Sequence, residues 1–468
     1  MTNGLVWLRG ELRLHDNPLL QAAAACDRLL LVYVIEDSQH APTDWGWPRR
    51  HAHRWRILAQ SLQALAEQLE ALGQRLLVLH GDSARQIATL VAAHDIDQVF
   101  VNDAPGSEEA GQLQRLLKLL DQALPADGSK LITSLDNRLY PQLPIAAERW
   151  PMSFSAFRRK VEKRLPPQSP CVDITRLPPP LLADVPDWPQ LLTSQSQSES
   201  LSSPPRFCGG EQAGLQRLHY YLHQRQCILN YTQTRNGMLH DDDSSKLSPW
   251  LADGSLSVRH VWAEIERFEA DVSANESTYW LKFELLWREY FRWLLQYSGS
   301  ALFRFAGLRD KSVDGLSAFD RFDQHQQDQF AAWTLGETGI PMIDANMREL
   351  QATGYMSNRG RQNVASFLVK DLRLDWRAGA AWFEHLLLDY DVASNWGNWA
   401  YQAGVGTDTR DRWFNVVEQS RRYDPMAEYI SHWCPELAEL PIANRFAPWA
   451  ASTAVPDYTA PLKIDPRW

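Results

Sequence analysis

Short apolar runs alternate with amphipathic stretches over the first 135 residues. The runs at 5–8, 29–35, 75–80, 98–102 and 130–133 are rich in Leu and Val and too short for helices, so they read as strands. Between them, 54–72, 83–94 and 108–124 carry apolar residues at helical spacing. Strands alternating with helices predict an α/β N-terminal domain built on a doubly wound, mostly parallel sheet. No GxGxxG follows the first strand, so any ligand of this domain is held in another way than the usual dinucleotide fingerprint.

Proline and serine dominate beyond this region, most plainly in 177–182 (LPPPLL) and 193–205 (TSQSQSESLSSPP), as in a linker. Farther on the pattern is helical almost throughout. The expected division is therefore an α/β domain over 1–135, a linker over 136–205 and an all-α domain over 206–468. No run of about 18 apolar residues reads as a membrane span. The opening residues lead straight into a strand pattern broken by Arg9 and Glu11, unlike a secretory leader, so a cytosolic (cytoplasmic) location is expected.

At 468 residues the chain is too long for one ordinary core. Cys26, Cys171, Cys208, Cys227 and Cys434 lie far apart without a CxxC, so neither a disulfide framework nor a metal knuckle is encoded. A net charge of −10 argues against indiscriminate nucleic-acid binding. A local patch can still carry it: 156–165 holds five basic residues against one acid, either a phosphate-binding face or a solvated helix surface. Twenty tryptophans exceed the usual number, and indole stacks on bases and flavin rings as well as filling cores.

Two segments, 353–366 (TGYMSNRGRQNVAS) and 388–402 (LDYDVASNWGNWAYQ), set Asp389, Asp391, Arg359, Arg361, Asn358, Gln362, Asn395, Trp396 and Trp399 among apolar residues, with Trp376 close by. Such a mixture is costly to bury without partners. One large ligand with a hydrogen-bonding edge and flat aromatic faces, such as a flavin, would satisfy it. A helix over 279–295 puts Trp280, Glu284, Trp287, Arg288 and Phe291 on one face. That face is either core with a Glu284–Arg288 pair, or a cavity wall where Glu284 meets a ligand and Trp287 offers a stacking surface. A helix over 357–370 aligns Asn358, Arg361, Gln362 and Ala365, and a buried Arg361 needs an anion that Asp389 or Asp391 can supply. The turn Ser244, Ser245, Lys246, Leu247, Ser248 offers hydroxyls, N–H groups and one ammonium to a pyrophosphate, or serines that merely cap a helix.

Together the segments at 5–18 (LVWLRGELRLHDNP), 230–257, 284–294 (ELLWREYFRWL), 353–362, 366–377 (SFLVKDLRLDWR) and 389–408 (DYDVASNWGNWAYQAGVGTD) resemble the photolyase and cryptochrome family, most closely its cryptochrome DASH branch. The resemblance implies an antenna domain followed by a helical domain enclosing a U-shaped FAD. By position, Tyr231, Ser244, Ser245, Lys246, Leu247 and Ser248 match the residues holding the ribityl and diphosphate portion. Glu284, Trp287 and Arg288 match the helix lining the cavity, and Asn358 is a further cofactor-binding position. Arg361 and Asp389 match the pair on the isoalloxazine, Asp391 an acceptor at the flavin edge, and Asn395 the residue facing flavin N5. Trp399 and Trp376 match the proximal and middle members of a photoreduction chain, whereas 319–323 carries phenylalanine where an outer tryptophan belongs.

The implied activity is light-driven repair of cyclobutane pyrimidine dimers, in which excited reduced FAD lends the dimer an electron. Glu284 would stabilise the charge that develops on the dimer. Trp287 and Tyr401 would flank it, and Asn358, Arg359 and Gln362 would lie on the DNA side. Gln362 and Tyr401 stand where duplex photolyases place methionine and tryptophan. A more polar pocket returns less of the few kcal/mol needed to extrude a dimer from a duplex, so single-stranded DNA is the expected substrate. A folate antenna, methenyltetrahydrofolate, is implied with Glu109 as its carboxylate partner, although 102–109 matches the family loosely. A monomer is expected. One rival is a blue-light photoreceptor that signals without catalysis, for which the short stretch beyond Pro441 leaves little room. The other, an iron–sulfur relative, finds no support in the cysteine spacing.

Overall fold

The computed structural model describes residues 1–123, 130–134, 136–190, 192, 206–309, 315–408, 413–451 and 455–468. Strands β1 (Asn3–Leu8), β2 (Arg28–Ile35), β3 (Leu76–His80), β4 (Gln98–Asn102) and β5 (Lys130–Ser134) form one parallel sheet in the order β3-β2-β1-β4-β5. A short helix, α1 (Pro18–Ala23), follows β1, with Asn17 accepting from Leu20 N as its cap. Successive strand residues face opposite sides. Val6, Leu8, Leu31 and Ile35 pack with Trp55, Leu58 and Leu65 of α2 (Ala52–Ala71). Leu5, Trp7, Leu30 and Val32 pack with Ile87 and Val91 of α3 (Ser83–Ala93) and with Leu116 and Leu120 of α4 (Ser107–Ala123). Cover on both faces is why the strands read as continuous apolar runs rather than alternating ones.

Part of the stretch expected as linker is packed. Leu29 N donates to Pro179 O at 3.1 Å and Leu181 N to Leu29 O at 2.7 Å, alongside β2 where β3 has not yet begun to pair. Leu177 and Leu192 are buried with the sheet residues, and 193–205 lies outside the described residues.

The helical half comprises, among others, α5 (Phe154–Val161), α6 (Ser248–Asp253), α7 (Glu276–Ser298), α8 (Pro341–Thr353), α9 (Asn358–Ser366), α10 (Trp376–Leu386) and α11 (Val392–Ala403). No strand occurs in it among the described residues. Asn275 caps α7 reciprocally with Thr278, and Asp391 caps α11 by accepting from Ser394 N. The helix expected over 357–370 is present, but beyond Ser366 it widens into a π-helical turn, Phe367–Asp371.

A buried ionic network joins the halves. Arg13 meets Asp136 at 2.6 Å, and Arg259 meets Asp16 at 2.9 Å and Asp136 at 2.8 Å, with every side chain at most 1% exposed. At Gly254 (φ +73°) the backbones touch, and an added Cβ would stand 1.9 Å from Gly10 O.

Candidate functional site

Between α6, α7, α9 and α11 lies a cavity of two joined lobes, about 260 and 530 Å³. Both are lined by Glu284 and Arg288 of α7, Asn358 and Arg361 of α9, and Asp389 and Asp391 from the loop between α10 and α11. An occupant reaching both lobes has to bend around this set.

The smaller lobe is walled by Tyr231, Tyr355 and the turn from Ser244 to Ser248. Arg217 holds the back of that turn, donating to Ser245 O at 2.9 Å and Ser244 O at 3.1 Å. Helix α6 has no side-chain cap, so the serines are not there to cap it. Lys246 adopts a left-handed backbone (φ +55°) and is only 4% exposed. Its Nζ has no hydrogen-bond partner and lies 4.9 Å from the Tyr355 ring. A buried ammonium without an acceptor is the chemistry of an anion site.

In the larger lobe Arg361 donates to both oxygens of Asp389, at 3.0 and 2.7 Å, and through Nε to Met356 O. Burial disfavours the Arg361 charge, but Asp389 outweighs it and the guanidinium pKa is raised. Asp391 pairs instead with Arg292 at 2.7 Å. Burial opposes its ionisation, and Arg292 and Arg288 overcome that, so its pKa is lowered. The Glu284–Arg288 pair suggested by spacing does not form. Arg288 turns into the seam between the halves, where Asn137 O, Asn137 Oδ1 and Leu251 O accept from it at 2.9, 2.8 and 3.1 Å. Glu284 is met from across the cavity by Arg235. Burial nevertheless raises the Glu284 pKa against the pull of Arg235.

Asn395 donates from Nδ2 to Ala380 O at 2.9 Å, which leaves its amide oxygen as the accepting atom. Gln362, Tyr401 and Trp399 line the larger lobe. Trp287 does too, but one face is already covered: Phe154 of α5 stacks on it at 3.7 Å and 11°. Tyr401 meets the same indole edge-on at 5.7 Å. Arg359 sits back from the wall, bonded to Asn236 at 2.8 Å and Gln362 at 2.9 Å. Trp376 is fully buried behind the wall, edge-on to Trp396 at 5.8 Å. Of the basic run of 156–165, Arg158 is in the wall, and Arg159, Lys163 and Arg164 are exposed.

A separate cavity of about 530 Å³ opens between the two halves, lined by Trp45, Trp47, Arg49, Glu109, Arg377 and Trp396 among others. Phe319, in the stretch expected to lack an outer tryptophan, packs at 5.0 Å against Trp45.

Sequence reasoning missed Arg235, Arg292 and Phe154. A signal existed for Arg292, which continues the stripe of Glu284 and Arg288 by another four residues. Phe154 and Arg235 come from remote segments and had none.

Residues 4–178 match the family described as DNA photolyase, and 280–464 the FAD binding domain of DNA photolyase. A cryptochrome DASH of Gloeobacter violaceus is 42% identical over 95% of this chain and 88% of its own length. A solved cryptochrome of Synechocystis sp. superposes with a TM-score of 0.91 at 38% identity, covering 99% of this chain and 96% of that one. An archaeal photolyase from Sulfolobus tokodaii, solved with two FAD molecules, superposes with a TM-score of 0.79 at 27% identity over 98% of this chain and 96% of its own.

Proposed function

Because the chain belongs to the photolyase and cryptochrome family and carries that family's FAD-binding domain, we propose that it uses light to split cyclobutane pyrimidine dimers, preferentially in single-stranded DNA. The observation that carries the reading is the bent cavity with an acceptor-less Lys246 at one end and the Arg361–Asp389 pair at the turn. FAD fits this donor set. Its diphosphate answers the ammonium, and its polar ring edge answers Asn395 and Asp391. Tyr231, Ser244, Ser245, Leu247 and Ser248 would complete the phosphate and ribityl end. Bound there in reduced, photoexcited form, FAD would supply one electron to the dimer and take it back.

Glu284 is the residue for the dimer itself, able to hydrogen-bond its carbonyls once Arg235 yields. Burial raises its pKa against the pull of Arg235, a shift toward the neutral, donating form. Trp287 and Tyr401 flank the opening, with Asn358, Arg359 and Gln362 toward DNA. Trp399 and Trp376 are the electron donors that would restore the reduced cofactor. The strand preference is supported by the stacked Phe154 and the edge-on Tyr401, which leave Trp287 little bare ring. An extruded dimer then regains too little to offset the few kcal/mol of unstacking a duplex. Arg158 in the wall and the exposed Arg159, Lys163 and Arg164 that follow it in the chain would make affinity fall with salt.

For the cavity between the halves we infer a light-harvesting chromophore, with methenyltetrahydrofolate held by Glu109. The two FAD molecules of the Sulfolobus photolyase make a second flavin the alternative, and extraction with absorbance spectroscopy distinguishes them. We take the units as an α/β domain over 1–135 and a helical domain over 206–468, with the stretch of 136–205 expected as linker contributing α5 to the helical half and 177–181 to the sheet, in a monomeric cytosolic protein. No helix among the described residues is long and apolar enough to cross a membrane.

The test is light-dependent loss of dimers, scored on single-stranded and duplex oligonucleotides. Faster repair of the single strand is expected. Equal rates on both would remove the strand preference, and no repair of either would leave photoreception as the function.

A further inference from the structure

We propose that Asp37, His40 and His80 bind one divalent transition-metal ion, with zinc the best match, at the end of the sheet beside the cavity between the halves. The parallel register pairs Ile35 with His80, so the last residue of β3 stands next to the chain as it leaves β2. A single 3₁₀ turn, Asp37–Gln39, capped by His40, then folds both of its ligating side chains back toward His80. His40 Nε2 and His80 Nε2 are 2.8 Å apart, His80 Nε2 and Asp37 Oδ1 3.0 Å, and His40 Nε2 and Asp37 Oδ1 4.0 Å. Among the described residues, this is the one group of three His, Cys, Asp or Glu whose ligand atoms all lie within 4.8 Å of one another.

Protons alone satisfy this triangle poorly. With one proton between the two imidazole nitrogens, the short contact from His80 to Asp37 must share it or set two lone pairs against each other. With a proton on each nitrogen, two N–H groups collide. A cation at the centre attracts all three atoms at once. Zinc bonds of about 2.0–2.1 Å place tetrahedral ligands roughly 3.3 Å apart, and the three separations straddle that spacing. Two neutral imidazoles and one carboxylate suit zinc and leave a fourth position for water. The side chains are 31%, 35% and 65% exposed for His40, His80 and Asp37, so the ion has an entry path. Ser38, Gln39 and residues 41–45 line the neighbouring cavity, so the ion would fasten the segment that walls it.

The test uses the full-length flavoprotein after treatment with a chelator, titrated with Zn²⁺ by calorimetry and with Co²⁺ by visible absorbance. One equivalent should bind, with the intense bands of four-coordinate cobalt. Loss of an outer-shell partner costs about 10–100-fold in affinity, so removing a ligand by His40→Gln or His80→Gln should cost about 100-fold or more. His223→Gln, at a histidine 3.5 Å from Glu264 elsewhere on the surface, should change nothing. Asp37→Asn is measured alongside, so that a misfolded histidine variant, recognised by lost flavin absorbance, does not decide the result. No stoichiometric binding, undiminished binding in the His40, His80 and Asp37 variants, or equal loss in His223→Gln would overturn the proposal.

Discussion

Replacing Lys246 with methionine keeps the unbranched apolar stem of the side chain and removes the terminal ammonium. In the flavin-free protein the ammonium is buried with no acceptor, a condition that costs about 1–3 kcal/mol for a neutral polar group and no less for a charged one. The Tyr355 face at 4.9 Å returns about 0.5–2 kcal/mol of that. The flavin-free variant should therefore be as stable as the parent or about 1 kcal/mol more stable, a rise of about 1–2 °C in melting temperature. With FAD bound the sign reverses. A charge-assisted bond to phosphate is worth about 1.5–3 kcal/mol, so the FAD dissociation constant should rise by about 10- to 150-fold. Flavin-free protein titrated with FAD and, separately, with riboflavin gives the assay, read by fluorescence quenching. Riboflavin lacks the diphosphate and should bind the variant nearly as well as the parent. If both flavins weaken equally, or the flavin-free variant melts well below the parent, Lys246 is a packing residue and the phosphate assignment fails.

Three other substitutions probe separate parts of the site. Glu284→Ala should lower the repair quantum yield several-fold while flavin absorbance stays, and an unchanged yield would remove Glu284 from the reaction. Asp389→Ala leaves the partly buried Arg361 without its anion and should cost at most about 3–5 kcal/mol in denaturant unfolding. The double variant Arg361→Met with Asp389→Ala should recover part of that loss, and no recovery would mean that packing rather than charge is at stake. Burial raises the Asp371 carboxyl to about 6, so ionising it in the folded chain opposes folding as pH climbs from about 4 to 6. Asp371→Asn keeps an acceptor for Trp413 Nε1 at 3.0 Å. It should be more stable than the parent at pH 8, by at most about 3 kcal/mol, and no more stable at pH 4; a gap independent of pH would refute this.

The sheet was legible because burial of both faces leaves each strand an unbroken apolar run. The first strand nonetheless begins at Asn3, two residues before that run, since backbone pairing to β2 does not consult side chains. The walls of the cavity were legible for a related reason: helical spacing reports which side chains of α7 and α9 share a face. Spacing was least reliable about partners. It offered Arg288 to Glu284 because it sees only the helix both belong to. The acid is in fact met by Arg235, 49 residues earlier in the chain, and Arg288 is occupied by carbonyls of Asn137 and Leu251. The same limit left Asp389 and Asp391 as equal candidates for Arg361. Two residues apart in one loop, they are told apart only by where that loop runs and by Arg292 waiting for the second. A sequence thus states which groups need a counterpart, and the path of the chain decides which need is met within the protein. Lys246 is where that distinction has chemical content: its need survives folding, and what remains unmet at the wall of a cavity is the demand for a ligand.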